Sequence, residues 1–246
     1  MRRRAFITLV GGAAAAWPLA ARAQQSAMPV IGFLRSASLA DAGHLVAAFR
    51  QGLKEAGFVE GQNVAIEYRS AEDQADRLPT LVADLVRQQV ALIVANNIAA
   101  LAAKAATTTV PIVFAGGGDP VREGLVASLN RPGGNATGVS FLAGALGTKR
   151  LELLRQLVPK AATIAVLVHA NTLETETERR DVQTAAQAIG QQLIVVDAGS
   201  DRDIEMAFAT FVQRGAGALF AGTGAFLNSR RERVVALAAR DRKSVV

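Results

Sequence analysis

Residues 111–141 read PIVFAGGGDPVREGLVASLNRPGGNATGVSF, and the punctuation of this stretch decides the fold. Ile112-Val113-Phe114-Ala115 is a short unbroken apolar run, as expected of a strand buried in a parallel sheet. Three glycines come next, Gly116 to Gly118, and then Asp119-Pro120. Val121, Leu125, Val126 and Leu129 form a short amphipathic piece, and Asn130-Arg131-Pro132-Gly133-Gly134-Asn135 reads as a second turn. Thr137-Gly138-Val139-Ser140-Phe141 is extended and leads into a new helix. The residues before this stretch read as one α/β unit, and the residues after it read as another. The chain therefore changes lobes here, and a ligand cleft is expected beside the change.

Upstream, Val30 to Leu34, Val64 to Tyr68 and Ala91 to Ala95 read as strands. Between them lie helical patterns at Leu45, Phe49 and Leu53, with Asp41 as a candidate N-cap and Gly57 as the stop, and at Leu78, Leu81, Val82, Leu85 and Val86. An alanine-rich helix runs on to about Thr107. Strands alternating with helices at this pace predict a doubly wound parallel sheet. Right-handed crossovers place every strand-to-helix turn on one edge. Ligands of such sheets sit outside the carboxyl ends of the strands. The turns at that edge are Arg35 to Ser38, Asn96-Asn97 and Ala115 to Asp119. They are short and polar enough to hold a small molecule, or they are ordinary helix-capping turns.

Downstream the rhythm restarts. Leu146 to Val158 is a helix closed by Pro159, and Thr163 to Val168 a strand with the polar exit His169-Ala170-Asn171-Thr172. Glu174 to Ile189 is a helix in which Glu174, Glu176, Glu178, Arg179 and Arg180 read as a solvated face. Leu193 to Val196 and Ala218 to Ala221 are strands, the latter exiting at Gly222-Thr223-Gly224. Helices are expected from Asp201 to Val212 and from about Ala225 to Arg240. Two lobes with one rhythm suggest structural duplication, although no residue-level repeat is visible.

The N-terminus, MRRRAFITLVGGAAAAWPLAARA, has the basic, apolar and small-residue sections of an export signal, with cleavage expected between Ala23 and Gln24. Arg3-Arg4-Ala5-Phe6-Ile7 fits the twin-arginine route, and the general secretory route fits as well. The formal charge is +6, from 27 Lys and Arg against 21 Asp and Glu. Loss of Arg2, Arg3, Arg4 and Arg22 with the leader leaves 23 against 21, a net +2. No basic stripe with interleaved aromatics remains, so nucleic acid is not expected as a partner. The absence of cysteine excludes disulfides, thiolate metal sites and thiol nucleophiles. His44 and His169 offer no paired metal-ligand spacing.

Catalytic readings find little support. Gly116 to Gly118 comes after the fourth strand rather than the first and has an acid directly behind it, unlike a dinucleotide loop. A Rossmann-like nucleotide-dependent enzyme is kept as the alternative function. His169 could be a base or a polar turn residue. Asp119 could hold an ammonium group, or it could cap a helix with Pro120 at the first position.

Together the leader, VIGFLRSAS (30–38), ALIVANN (91–97), VFAGGGDPV (113–121), RPGGNATGVSF (131–141) and LELLRQLVPKAATIAVLV (151–168) resemble the tryptophan/tyrosine-type periplasmic substrate-binding proteins of ABC transporters. The resemblance covers about residues 1–240. It implies a type I periplasmic-binding-protein fold, with two Rossmann-like lobes closing on a small amino-acid-like solute, aromatic ones among the candidates. It implies a periplasmic receptor without catalysis or cofactor that serves an inner-membrane ABC permease; a monomer is expected. Carried over, it assigns ligand contacts to Ser36, Asn96, Asn97, Asp119, Thr137 and Ser140 in a first lobe over 29–140, where Gly116 of the glycine turn is expected to contact the ligand as well. Asn171, Glu174 and Thr223 are the contacts from a second lobe over 141–240. Two exits depart from the family pattern: Asn96-Asn97 replaces a small Gly/Thr-type exit, and His169-Ala170-Asn171 replaces Asn-Pro. The resemblance also implies that the second lobe is incomplete. Asp241 to Val246 is expected to be a non-native tail, since DRKSVV is the translation of the start of a common sequencing adapter.

Overall fold

The structure is a computed structural model and describes residues 28–143, 146–169 and 173–245. The leader lies outside the described residues. No helix among the described residues is long and apolar enough to cross a membrane.

The first lobe is a five-stranded parallel sheet. Its strands are β1 (Val30–Arg35), β2 (Ala65–Ser70), β3 (Leu92–Ala95), β4 (Ile112–Gly116) and β5 (Ala136–Ser140), in the spatial order β2-β1-β3-β4-β5. Helices α1 (Gly43–Glu55), α2 (Leu78–Arg87) and α3 (Asn97–Ala106) make the crossovers. Leu34, Ile93, Ile112 and Phe114 pack against Leu78, Val82, Leu85 and Ala100 in one buried core. The other face is covered less: Phe33 packs on Phe49 of α1, ring centroids 5.1 Å apart, but α1 has no buried residue of its own. Val113 and Val139 are exposed.

The second lobe contains α4 (Gly147–Leu157), β6 (Thr163–His169), α5 (Leu173–Ala188), β7 (Gln192–Ala198), α6 (Asp201–Gln213), β8 (Ala218–Ala221), α7 (Ala225–Ser229), α8 (Arg231–Arg240) and β9 (Ser244–Val245). Its sheet is parallel, in the order β7-β6-β8-β9. The run TIAVLV shows why such strands lack polar breaks. Ile164, Val166 and Val168 enter a core with Leu151, Leu154, Val182 and Phe220 on one face. Ala165 and Leu167 enter a core with Phe208, Phe211, Phe226 and Val234 on the other.

Several local expectations need correction. Asp41 caps nothing: it sits in a 3-10 turn (Ala40–Ala42), Ala42 is at the N-cap of α1, and no side chain bonds there. Residues 120–130 form turns and bends rather than a helix, with Gly124 at φ +77° breaking the rise. Leu125 and Val126 are buried all the same. The last helix divides at Arg230 into α7 and α8. The second sheet continues past β8 in the same parallel sense, with Ser244–Val245 pairing with Ala218 and Leu219.

Candidate functional site

In a sheet ordered 2-1-3-4-5 the chain leaves β1 toward one side and later returns on the other, which opens a crevice between β1 and β3. The exits there are Arg35-Ser36 and Asn96-Asn97. They are tied together: the Ser36 backbone N–H donates to Asn96 Oδ1 at 2.9 Å, and Asn96 Nδ2 donates to Ser36 Oγ at 2.8 Å. In the second sheet the corresponding crevice lies between β6 and β8, where Gly222-Thr223-Gly224 leaves β8.

The two edges share a cavity of about 580 Å3, within the usual size of small-molecule sites. The first lobe lines it with Phe33, Arg35, Phe49, Asn96, Asn97, Gly116 and Phe141. The second lobe supplies Arg150, Thr223, Leu227, Asn228 and Arg231. The wall is mostly apolar, with a few polar groups that can orient a ligand.

Of the residues expected from the sequence, the structure brings Asn96, Asn97, Gly116 and Thr223 to this cavity. Ser36 lines a small adjoining pocket with Asp73, His169 and Phe226. Asn97 is buried and donates through Nδ2 to Glu123 Oε2 at 2.8 Å, leaving Oδ1 without a partner. Burial pushes the Glu123 carboxyl above its ordinary pKa, against the hydrogen bond from Asn97. Thr223 donates to Glu178 Oε2 through its backbone N–H at 2.7 Å and its hydroxyl at 3.1 Å. Arg150 donates to the other oxygen of Glu178 at 3.1 Å and lies over the Phe220 ring, 4.4 Å from its centroid.

Glu178 is thus no part of a solvated face. Its side chain is 1% exposed, because it turns inward to hold the β8 exit and the guanidinium above it. Burial raises its pKa despite the donors from Thr223 and Arg150.

Among the described residues, Asp119, Ser140 and Thr137 do not line this cavity. Asp119 Oδ1 accepts from the backbone N–H groups of Val121 and Arg122 at 3.0 and 3.1 Å, so its carboxylate caps a turn. Ser140 ties β5 to the glycine turn, donating to the Gly118 carbonyl and accepting from Leu142 N–H. Thr137 pairs with Val113 near the amino end of β5 and is exposed. Asn171 lies outside the described residues, as does the side chain of Glu174. His169 stacks on Phe226 with centroids 4.5 Å apart, and burial lowers its pKa.

The glycine turn is also unsuited to phosphate. A Cβ at Gly118 would meet Glu123 Oε1 at 1.9 Å and Asn97 Nδ2 at 2.4 Å. A pyrophosphate seated there would meet an acid rather than open backbone donors. Among the described residues no cluster of His, Cys, Asp or Glu could hold a metal ion.

Phe49, Arg150 and Arg231 were not among the residues expected from the sequence, and Arg35 was named only as the start of a ligand-edge turn. Arg35 was legible as an exit residue at the ligand edge. Arg150 carried no local signal, since its role depends on Glu178 and on the carbonyl of Ala221, to which it also donates.

Known proteins resemble this chain in sequence and in fold. The curated tyrosine-binding protein of Clostridioides difficile is 27% identical over 165 residues, 67% of this chain and 47% of that protein. The chain therefore spans about half the length of that relative. An ABC domain from Streptococcus pneumonia, solved in complex with L-Trp, superposes with a TM-score of 0.74 at 23% identity, covering 89% of this chain and 73% of that one. A conserved domain protein from Vibrio cholerae superposes with a TM-score of 0.78 at 22% identity over the same shares. These two likenesses establish the two-lobed fold. The family profile described as "ABC transporter substrate binding protein" matches residues 29–245, and the chain belongs to that family.

Proposed function

We propose that the chain is the solute-binding component of an ABC importer, exported to the periplasm, and that it holds a small amino-acid-like solute between its lobes. Aromatic solutes are the first candidates. The observation that carries this reading is the cavity shared by the carboxyl edges of both sheets, walled by Phe33, Phe49 and Phe141 and provided with polar groups from each lobe. Family membership supports it, as does the relative named for tyrosine. The protein acts as a monomer that delivers its ligand to an inner-membrane permease, and it performs no chemistry on the ligand. Ser36 and Asn96 set the first-lobe rim. Asn97 and Thr223 face the ligand from opposite sides, and Asp119, Thr137 and Ser140 support the crossover beneath it.

A ligand that binds only the folded state raises the unfolding midpoint with concentration. Thermal unfolding of the chain with tyrosine, tryptophan and phenylalanine, and separately with ATP and NAD, tests the reading. Stabilisation by aromatic amino acids and none by nucleotides is expected. The reverse pattern would establish a nucleotide site instead.

A further inference from the structure

The charged side chains that line the cavity are of one sign. Among the described residues that line it are three arginines, Arg35, Arg150 and Arg231, and no Asp or Glu. Arg150 is paired with Glu178. Arg231 is exposed at the rim. Arg35 is different. It ends β1 at the switch point of the first sheet, only 8% of its surface is exposed, and its Nε is buried without a hydrogen-bond partner. Among the described residues its side chain makes no hydrogen bond or ion pair. The acid that acts on it, Asp73, is itself held by Arg230 at 2.8 Å.

A buried cation without a partner is costly, and proteins keep such groups where an anion will meet them. A guanidinium presents a planar fork of donors that fits a carboxylate with two parallel hydrogen bonds. Phe33 and Phe49 offer apolar walls beside it. We infer that Arg35 is the anion subsite of this cavity and that the ligand is an organic carboxylate with an apolar or aromatic body, anchored by its carboxylate rather than by an amine. This rests on the solute-receptor reading and narrows its ligand class.

The test uses the whole chain and three probes that share a ring: 3-(4-hydroxyphenyl)propanoate, which has only the carboxylate, tyramine, which has only the amine, and L-tyrosine, which has both. Calorimetric titration should show the propanoate binding and tyramine failing to bind. Arg35→Gln should weaken the propanoate about 10- to 100-fold, as expected for lost charge-assisted hydrogen bonds. Arg35→Lys, which keeps the charge without the fork, should fall between. The unfolding midpoint of ligand-free Arg35→Gln should equal or exceed that of the parent, because an unpaired buried charge is removed. An undiminished affinity of Arg35→Gln for the propanoate or for tyrosine overturns the subsite and leaves the receptor reading standing, as does tyramine binding as tightly as the propanoate. Failure of all three probes on the parent chain overturns both.

Discussion

Arg230, at the break between α7 and α8, donates through Nη2 to Asp73 Oδ2 at 2.8 Å and so joins the second lobe to the first. Both side chains are largely buried, 17% and 13% exposed. Arg230 also bonds Asp201 within its own lobe and lies over Phe226, 4.2 Å from the ring centroid. A second link between lobes, Arg122 to Asp181 at 3.0 Å, is far more exposed. Hydrogen bonds to charged groups contribute about 1.5–3 kcal/mol, whereas exposed ion pairs contribute about 0–1 kcal/mol. Arg230→Met should therefore favour separated lobes. Small-angle scattering should show a larger radius of gyration for Arg230→Met and no change for Asp181→Asn. Equal effects of the two substitutions would remove Arg230 from this role.

The reciprocal pair between Ser36 and Asn96 fixes the spacing of the two exits at the first switch point. Each single replacement by Ala leaves a partner's donor or acceptor unmet, at about 1–3 kcal/mol. For a chain of this size that lowers the unfolding midpoint by about 2–4 °C per kcal/mol. In a double-mutant cycle the losses should fall short of additive, with a coupling of about 0.5–3 kcal/mol. Strict additivity would show that the residues act independently.

Glu178 makes a prediction about pH. Its folded pKa is raised, with burial the leading cause. The folded protein therefore holds a proton on Glu178 over a range where the unfolded chain has lost it. The associated stabilisation is fully present below the unfolded carboxylate pKa and is lost as pH rises through the folded value. Urea unfolding from about pH 4 to about pH 8 should show the stability of the parent falling relative to Glu178→Gln as pH rises. A parent that gains relative to the variant over that range would mean that Arg150 outweighs burial.

Two glycines separate binding from folding. A Cβ at Gly116 would meet Asn97 Oδ1, the end of a side chain, at 2.0 Å. Gly116→Ala should displace that carboxamide and weaken ligand binding while the chain still folds. A Cβ at Gly138 would meet the backbone carbonyl oxygen of Phe114 at 2.0 Å. The backbone of β4 cannot yield without breaking its pairing with β5, so Gly138→Ala should lower the unfolding midpoint. Circular dichroism melts and ligand titrations of both variants check the contrast.

The parallel strands were legible because their physics is local. Ile164 to Val168 must be apolar at every position when both faces are covered, and that leaves an unbroken run in the sequence. The exits at Asn96-Asn97 and Thr223 were legible for the same reason, since topology alone carries them to one edge. The readings that failed depended on distant partners. Glu178 sits in the charged run LETETERRD, and only Arg150 and Thr223 reveal that it is buried. Asp119 looked equally able to hold a ligand or cap a helix, and its Oδ1 accepts from two N–H groups of the turn that follows it. Arg35 read as one more polar turn residue, because nothing in the sequence tells that its charge is left without a partner.

A crystal structure of the chain grown with 3-(4-hydroxyphenyl)propanoate tests the central claim most directly. The account predicts the solute between the lobes, its ring beside Phe33 and Phe49, with contacts to Asn97 from one sheet edge and Thr223 from the other. A solute bound to one lobe alone, or an interlobe gap filled by the protein's own side chains, would contradict it.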